Sequence, residues 1–359
     1  MSSEAVVVGA GICGASAAYH LAAQGVQTLL VERSGIGSGA TGVAPGLLCG
    51  GSDPPSQAPG LDVLKSWAQA HYEETLIPIR DELPNSALRW TGALRIRRVA
   101  DPPDPPTEPA PGSIEIVSAR DISQIDPSLH APLGGSWFPE DGNADAPAIA
   151  RAFVSAGVAT GKLALDHADG IEVVAPGGAV TGLRTTSGTI DCSTLVVATG
   201  SDERGLLARL GPELAPVRGQ LLVDRGTPHP RVVCRYGRTY AVARGGCTLI
   251  GATEERLGFD TTPDHRKLRV LAGEWGELMG RGLVDPEVRT GFRSATSDGA
   301  PLIGRHPGVR GLYIASGLYR DGVLLGPAAG AAITRVVTAG VALAPWDRFD
   351  PARLIEGAA

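Results

Sequence analysis

Ala5-Val6-Val7-Val8-Gly9-Ala10-Gly11-Ile12-Cys13-Gly14 carries a short apolar, mostly β-branched run straight into a glycine-spaced turn. Such a run fits a strand buried on both faces of a parallel sheet. Ala15 to Gln24 is alanine-rich with helical spacing and closes at Gly25, where glycine suits a left-handed cap. Val26 to Val31 reads as a second strand ending in the acid Glu32. A G-x-G-x-x-G pattern alone is a weak signal in a chain with 49 glycines among 359 residues. Placed between a buried strand and a helix, and followed by an acid at the next strand end, it predicts a dinucleotide site. Gly9 permits the tight turn, Gly11 lets backbone approach a pyrophosphate, and Gly14 allows close helix–strand packing, while the helix N-terminus offers donors. Glu32 would accept from a ribose. The bland alternative is an ordinary glycine-rich turn with Glu32 a solvated strand end. The fingerprint does not separate NAD from FAD.

Composition narrows the function classes. With 43% hydrophobic and 19% charged residues, the chain can bury a large core, as two domains or one large one. A net charge of -6 has the wrong sign for binding phosphate backbones, so no nucleic-acid partner is expected. The cysteines (Cys13, Cys49, Cys192, Cys234, Cys247) form no C-x-x-C pair and suit reduced thiols in a cytosol. The apolar stretches Ala5 to Val31 and Val323 to Ala344 are interrupted by residues such as Gln24, Pro327 and Arg335. A cytoplasmic protein with no membrane partner is therefore expected. The histidines are scattered without ligand spacing and no Ser has a G-x-S-x-G setting, so neither a metal site nor a hydrolase triad is expected.

Further along, Leu61 to Leu83 has the helical period and reads as a core-covering helix. Ala93 to Val99 is strand-like and runs into the proline-dense stretch Asp101 to Gly112, expected as a surface loop. Ala146 to Gly157 reads as a helix. Strands follow near Ile171 to Val174, Val180 to Thr185 and Leu195 to Ala198. Arg218 to Val223, Arg238 to Ala243 and Thr248 to Ala252 read as a second, mostly antiparallel sheet with turns at Gly226 and Gly245-Gly246.

Two later segments, Gly291-Phe-Arg-Ser-Ala-Thr-Ser-Asp-Gly-Ala-Pro-Leu-Ile-Gly304 and Gly311-Leu-Tyr-Ile-Ala-Ser-Gly-Leu-Tyr-Arg-Asp-Gly-Val-Leu-Leu-Gly-Pro327, resemble the C-terminal FAD segment of the D-amino-acid oxidase superfamily. Ser38 to Gly46, Pro216-Val-Arg-Gly-Gln220 and Gly251 to Phe259 also match, in the same order, with the likeness running to glycine oxidases of the thiamine-pathway type. The resemblance implies an α/β fold: a Rossmann-like FAD-binding domain (1–83, 146–213, 294–359) and a mostly antiparallel α+β substrate domain (84–145, 214–293). It further implies cofactor contacts from Arg33, Ala40, Thr41, Pro45, Gly46, Leu47, Ala168, Thr199, Gly200, Leu318, Tyr319, Arg320, Asp321, Gly322, Val323 and Leu324, besides the fingerprint. The chain departs from the family pattern at Ser294 and Leu318, where a proline and an aromatic or histidine are usual, and the loop around Pro102 to Pro111 replaces a helix. No cysteine stands near Phe292 or Arg293 for covalent attachment, so noncovalent FAD is expected.

The activity so implied is oxidative deamination of a small amino acid or amine. Hydride passes from the α-carbon to flavin N5, an imine forms, and O2 is reduced to H2O2. By the match, Arg293 is the carboxylate clamp, Tyr240 its second hydrogen-bond partner, Arg320 a group at the flavin edge and Glu254 a residue near the pocket mouth. A planar guanidinium suits this role because its fork binds carboxylate at two points. Tyr240 has an equally plain reading as a tyrosine packed in a half-buried strand. The alternatives are a dehydrogenase, a secondary-amine (sarcosine-like or specialised-metabolite) oxidase, and a non-catalytic flavin-binding protein. A homo-oligomer is compatible with all of them.

Overall fold

The computed structural model describes residues 3–50, 52–53, 56–98, 115–201, 205–211 and 214–355. The run Ala5–Val8 is a central strand of a six-stranded sheet, pairing in parallel with Thr28–Val31 on one side and Thr194–Val197 on the other. Leu163–Asp166 and Leu312–Ser316 extend the parallel array, and Leu302–Arg305 closes one edge antiparallel. Its all-apolar sequence follows from two-sided burial. Ala5 and Val7 face the helices Ile12–Ala23, Ala146–Ala159 and Gly322–Ala339. Val6 and Val8 face a three-stranded antiparallel sheet, Gly170–Val174, Gly182–Thr185 and Gly188–Asp191.

Gly322–Ala339 is long and apolar enough to cross a membrane by composition, yet it packs inside the protein against the fingerprint helix. A Cβ on Gly326 would lie 2.6 Å from Ile12 Cγ2, and one on Gly330 2.4 Å from Ser16 Cβ, so glycine sets the close helix–helix approach. Pro327 lacks the N–H that would otherwise bond the Val323 carbonyl. The Tyr72 hydroxyl donates to that carbonyl instead, at 3.1 Å.

The second sheet has eight strands in the order Glu287–Thr296, Leu214–Asp224, Cys247–Gly251, Thr239–Arg244, Val233–Tyr236, Ala93–Ile96, Gly135–Phe138, Glu115–Val117. All neighbours are antiparallel except Val233–Tyr236 with Ala93–Ile96. Helix His265–Met279 covers one face through Leu268, Leu271, Trp275 and Leu278, packed on Leu94, Cys234, Ala241 and Ile250. Because strand residues alternate, Arg95, Arg235, Tyr240 and Gly251 point to the opposite face. The fold is thus the expected α/β unit joined to a mostly antiparallel sheet.

One local reading changes. The helix expected over Leu61 to Leu83 is Leu61–Ala70 and Tyr72–Leu76 followed by a 3-10 turn, Ile77–Glu82. It breaks at His71, whose ring stacks on Trp67 and whose Nδ1 meets the Trp67 carbonyl at 2.8 Å, and Pro78 removes a further donor. Helix His265–Met279 and strands Leu163–Asp166 and Gly188–Asp191 were not anticipated from the sequence. The proline stretch Asp101 to Gly112 lies outside the described residues.

Candidate functional site

The fingerprint turn is set by backbone contacts. Gly9 has φ 99°, and a Cβ there would lie 2.6 Å from the Ala198 carbonyl oxygen; one on Gly14 would lie 1.9 Å from the Gly9 carbonyl oxygen. Ile12 N donates to Thr41 Oγ1 at 3.1 Å, which ties the helix start to the short helical turn Ala40–Val43. The Glu32 carboxylate accepts from Ala10 N at 2.8 Å, Ser34 N at 2.7 Å and Gly35 N at 3.2 Å. A carboxylate has about four acceptor sites, so one remains for a ligand hydroxyl.

These elements border two adjoining cavities that share Gly11, Ala40, Thr41 and Gly200 in their walls. The smaller, about 260 Å³, is lined by Gly9, Glu32, Arg33, Ala168 and Thr199. Thr199 Oγ1 is buried there without a partner among the described residues. The larger, about 840 Å³, runs past Ile12, Cys13, Pro45, Gly46 and Leu47 to the Leu318 to Leu324 segment and the open face of the eight-stranded sheet. Gly14 lines neither; it serves packing alone. Helix Gly322–Ala339 starts in the wall of the larger cavity with no side-chain cap, so the first-turn amides of Gly322, Val323 and Leu324 present its positive end there.

Arg293, Tyr240 and Arg320 all line the larger cavity. Arg293 projects from the edge strand Glu287–Thr296 and lies flat across the next strand, its Nη1 donating to the Thr253 carbonyl at 3.3 Å. It lies flat because residue 219 is glycine: a Cβ there would sit 2.5 Å from Arg293 Nη1. Tyr240 lies over Gly251 in the same way, with its hydroxyl 2.5 Å from where a Cβ would be. Two glycines on adjacent strands therefore clear a floor over which guanidinium and phenol approach from opposite sides. Burial pushes the Tyr240 hydroxyl up, while Arg293, Arg235 and Arg320 pull it down. Tyr319, with φ 46°, donates its hydroxyl to Glu254; burial and that bond push it up to about 12.

The sequence reading missed a charged group beside the clamp. Asp53 pairs with Arg235 and, at 3.4 Å, with the buried Lys65, which also reaches Asp321 at 3.5 Å. Burial opposes the Asp53 charge, yet Arg235, Lys65 and Arg320 hold its carboxyl below the usual range. Burial raises Asp321 despite Lys65. The signal available was an arginine within each of the apolar strands Ala93–Ile96 and Val233–Tyr236, but alternation alone does not tell solvent from cavity.

The profile of the family described as FAD dependent oxidoreductase matches residues 4–336. The chain belongs to this family. This FAD-dependent oxidoreductase is 30% identical to a glycine oxidase of Pseudomonas aeruginosa, over 91% of this chain and 93% of that one. Among solved structures, a glycine oxidase from Bacillus cereus superposes with TM-score 0.85 at 22% identity, covering 96% of this chain and 100% of that one. An iminodiacetate oxidase from Chelativorans sp. superposes with TM-score 0.82 at 26% identity, covering 97% and 98%. The groove fits FAD: glycine where side chains would block backbone approach, a carboxylate with a spare acceptor site, an unpartnered buried hydroxyl and an uncapped helix N-terminus. Glu32→Ala is expected to weaken FAD by ~1–3 kcal/mol, since charge-assisted bonds to the cofactor and to the 34–35 turn are lost together. Release of fluorescent FAD on dilution measures this, and an unchanged affinity would contradict the fingerprint reading.

Proposed function

We propose that the protein oxidises the Cα–N bond of a small amino acid, with Arg293 and Tyr240 gripping its carboxylate. The carrying observation is the convergence of these two side chains over Gly219 and Gly251, in the cavity that is continuous with the fingerprint groove. Glycine oxidase and iminodiacetate oxidase among the similar proteins support a primary or secondary amine as substrate. Gly9, Gly11, Glu32 and the Gly322 to Leu324 amides would hold FAD, which when bound supplies a two-electron acceptor for the α-hydrogen. Burial pushes the Cys13 and Cys49 thiols in the cavity wall up to about 12, so both stay protonated at neutral pH and do not favour covalent attachment.

The chain's own contribution is orientation. Two-point binding of the carboxylate by Arg293, with a third bond from Tyr240, fixes the position and plane of the carboxylate and so where the α-carbon stands in the cavity. With O2 as electron acceptor, the overall change is amino acid plus O2 plus water to keto acid, ammonia and H2O2. A secondary amine releases a primary amine in place of ammonia. All five cysteines are free and buried, which supports a cytoplasmic setting.

The test is product balance. Glycine, alanine and sarcosine are offered in air, and keto acid, released amine and H2O2 are counted. Equal amounts of all three support the reading. Keto acid without H2O2 or oxygen uptake, seen only with an added electron acceptor, makes the protein a dehydrogenase. Gly219→Ala tests the clamp without altering charge. A Cβ placed 2.5 Å from Arg293 Nη1 displaces the mobile end of that side chain, so the fold is kept. The ratio of flavin-reduction rate to apparent substrate constant is expected to fall about tenfold, ~1.4 kcal/mol, with FAD content unchanged.

A further inference from the structure

Lys65 stands where the pattern of its helix calls for an apolar side chain. The buried residues of Leu61–Ala70 are Leu61, Leu64, Lys65 and Ala68, and Lys65 is 5% exposed. Its ammonium lies between two carboxylates, 3.4 Å from Asp53 and 3.5 Å from Asp321. A lysine suits this place because its compact charge carries three donors and can serve acids from two segments. Asp53 has a second cation in Arg235, on which Asp141 also acts. Among the described residues, Lys65 is the one cation within salt-bridge range of Asp321. Burial raises Asp321; of the charges acting on it, Lys65 opposes that rise most, Arg320 opposes it less, and Asp53 adds to it.

The place of Asp321 gives this pair a function. It immediately precedes helix Gly322–Ala339 and lines the larger cavity, yet its side chain does not cap that helix. An aspartate before a helix start ordinarily accepts from the free amides and offsets the positive end. Here the carboxylate is turned to Lys65, so the amides of Gly322, Val323 and Leu324 stay free and most of the acid's charge is met from behind. Lys65 itself is not among the residues that line the cavity. Charges out of water are weakly screened, so the ionic state of this pair bears on a cofactor at the helix start. FAD gains electrons on reduction, and charge beside it tunes the balance between its two forms.

We infer that Lys65 is a positioning residue that sets the reduction potential of FAD from behind the cavity wall, with FAD lying against this helix start as proposed above. It holds Asp321 off the first-turn amides and neutralises it, so the helix keeps its positive end toward the cofactor and the reduced form is favoured. The bond to Asp53 fixes the ammonium from the other side.

The test equilibrates the holoenzyme anaerobically with a two-electron reference dye and reads oxidised against reduced flavin by absorbance, from neutral to alkaline pH. No amino acid is present, so the result is separate from the identity of the substrate. Lys65→Met leaves Asp321 an uncompensated anion and is expected to shift the equilibrium toward oxidised flavin by at least about tenfold, about 30 mV. That shift is full at alkaline pH and fades as Asp321 takes up a proton, with Arg320 and Asp53, the other charges acting on it, still in place. Asp321→Asn is expected to shift the equilibrium the opposite way, toward reduced flavin, and the double variant to lie between the two. Disrupted packing at the helix start would instead move both single variants in one direction. If Lys65→Met does not fold, Asp321→Asn carries the test: a raised potential supports the assignment, and an unchanged or lowered one overturns it. Single variants that retain FAD and shift in the same direction, or do not shift at any pH in the range, overturn it as well.

Discussion

Arg293→Ala is expected to lower the ratio of flavin-reduction rate to apparent substrate constant by at least about a hundredfold, ~2.7 kcal/mol, with FAD content nearly unchanged. Arg293→Lys should lose at least about tenfold, ~1.4 kcal/mol. The lysine keeps the charge but not the planar fork, so the carboxylate is attracted while its swing relative to the acceptor is unrestrained. Both the rate and the constant should suffer, because the clamp orients as well as binds. Stopped-flow reduction under nitrogen separates the two. If both variants reduce as fast as the parent, the substrate has no clamped carboxylate and a simple amine becomes the better reading.

Gly14→Ala should have the larger effect on the protein itself. The added Cβ would lie 1.9 Å from the Gly9 carbonyl oxygen, a backbone atom that no rotamer change removes. Either the helix Ile12–Ala23 or the turn must move, at a cost of about 1–3 kcal/mol or more in stability. Because that turn carries the dinucleotide site, FAD affinity is expected to fall at least about a hundredfold and the protein to purify largely colourless. Gly25→Ala is the control. Unlike the helical Gly14 it sits at positive φ, 87°, yet nothing lies within 4 Å of its Cβ. It should lower the melting temperature and leave FAD content unchanged.

What the chain discloses about itself divides along physical lines. Ala5–Val8, the fingerprint glycines and the Gly322 helix start were legible because local rules govern them: burial on two faces, a positive φ at Gly9 with close backbone approach at Gly14, and an uncapped helix N-terminus. The break at His71 was not, since the apolar period of Leu61 to Leu83 runs through it and the break is marked only by the folded position of the His71 ring, stacked on Trp67 with its Nδ1 at the Trp67 carbonyl. Helix His265–Met279 is hard to read from sequence even though Asp264 caps it and Gly280 ends it in the left-handed region. Its amphipathic run, rich in charge, shows its purpose only once the sheet it covers is known. At the site, Arg293 and Arg320 stood out through the family motif. Arg95, Arg235, Asp53 and Lys65 come from two strands, a loop and a helix and meet only in the folded chain. Gly219 and Gly251 matter for what lies across them, which no local pattern records.

The most direct test of the central claim, oxidation of an amino acid held by its carboxylate, compares each substrate with its own decarboxylated form. Glycine, alanine and sarcosine are mixed anaerobically with the holoenzyme alongside methylamine, ethylamine and dimethylamine. The account predicts that the carboxylated members bleach the flavin's visible absorbance and that their partners do so at least about a hundredfold less effectively. Equal bleaching by acid and amine, or none by either, would contradict it.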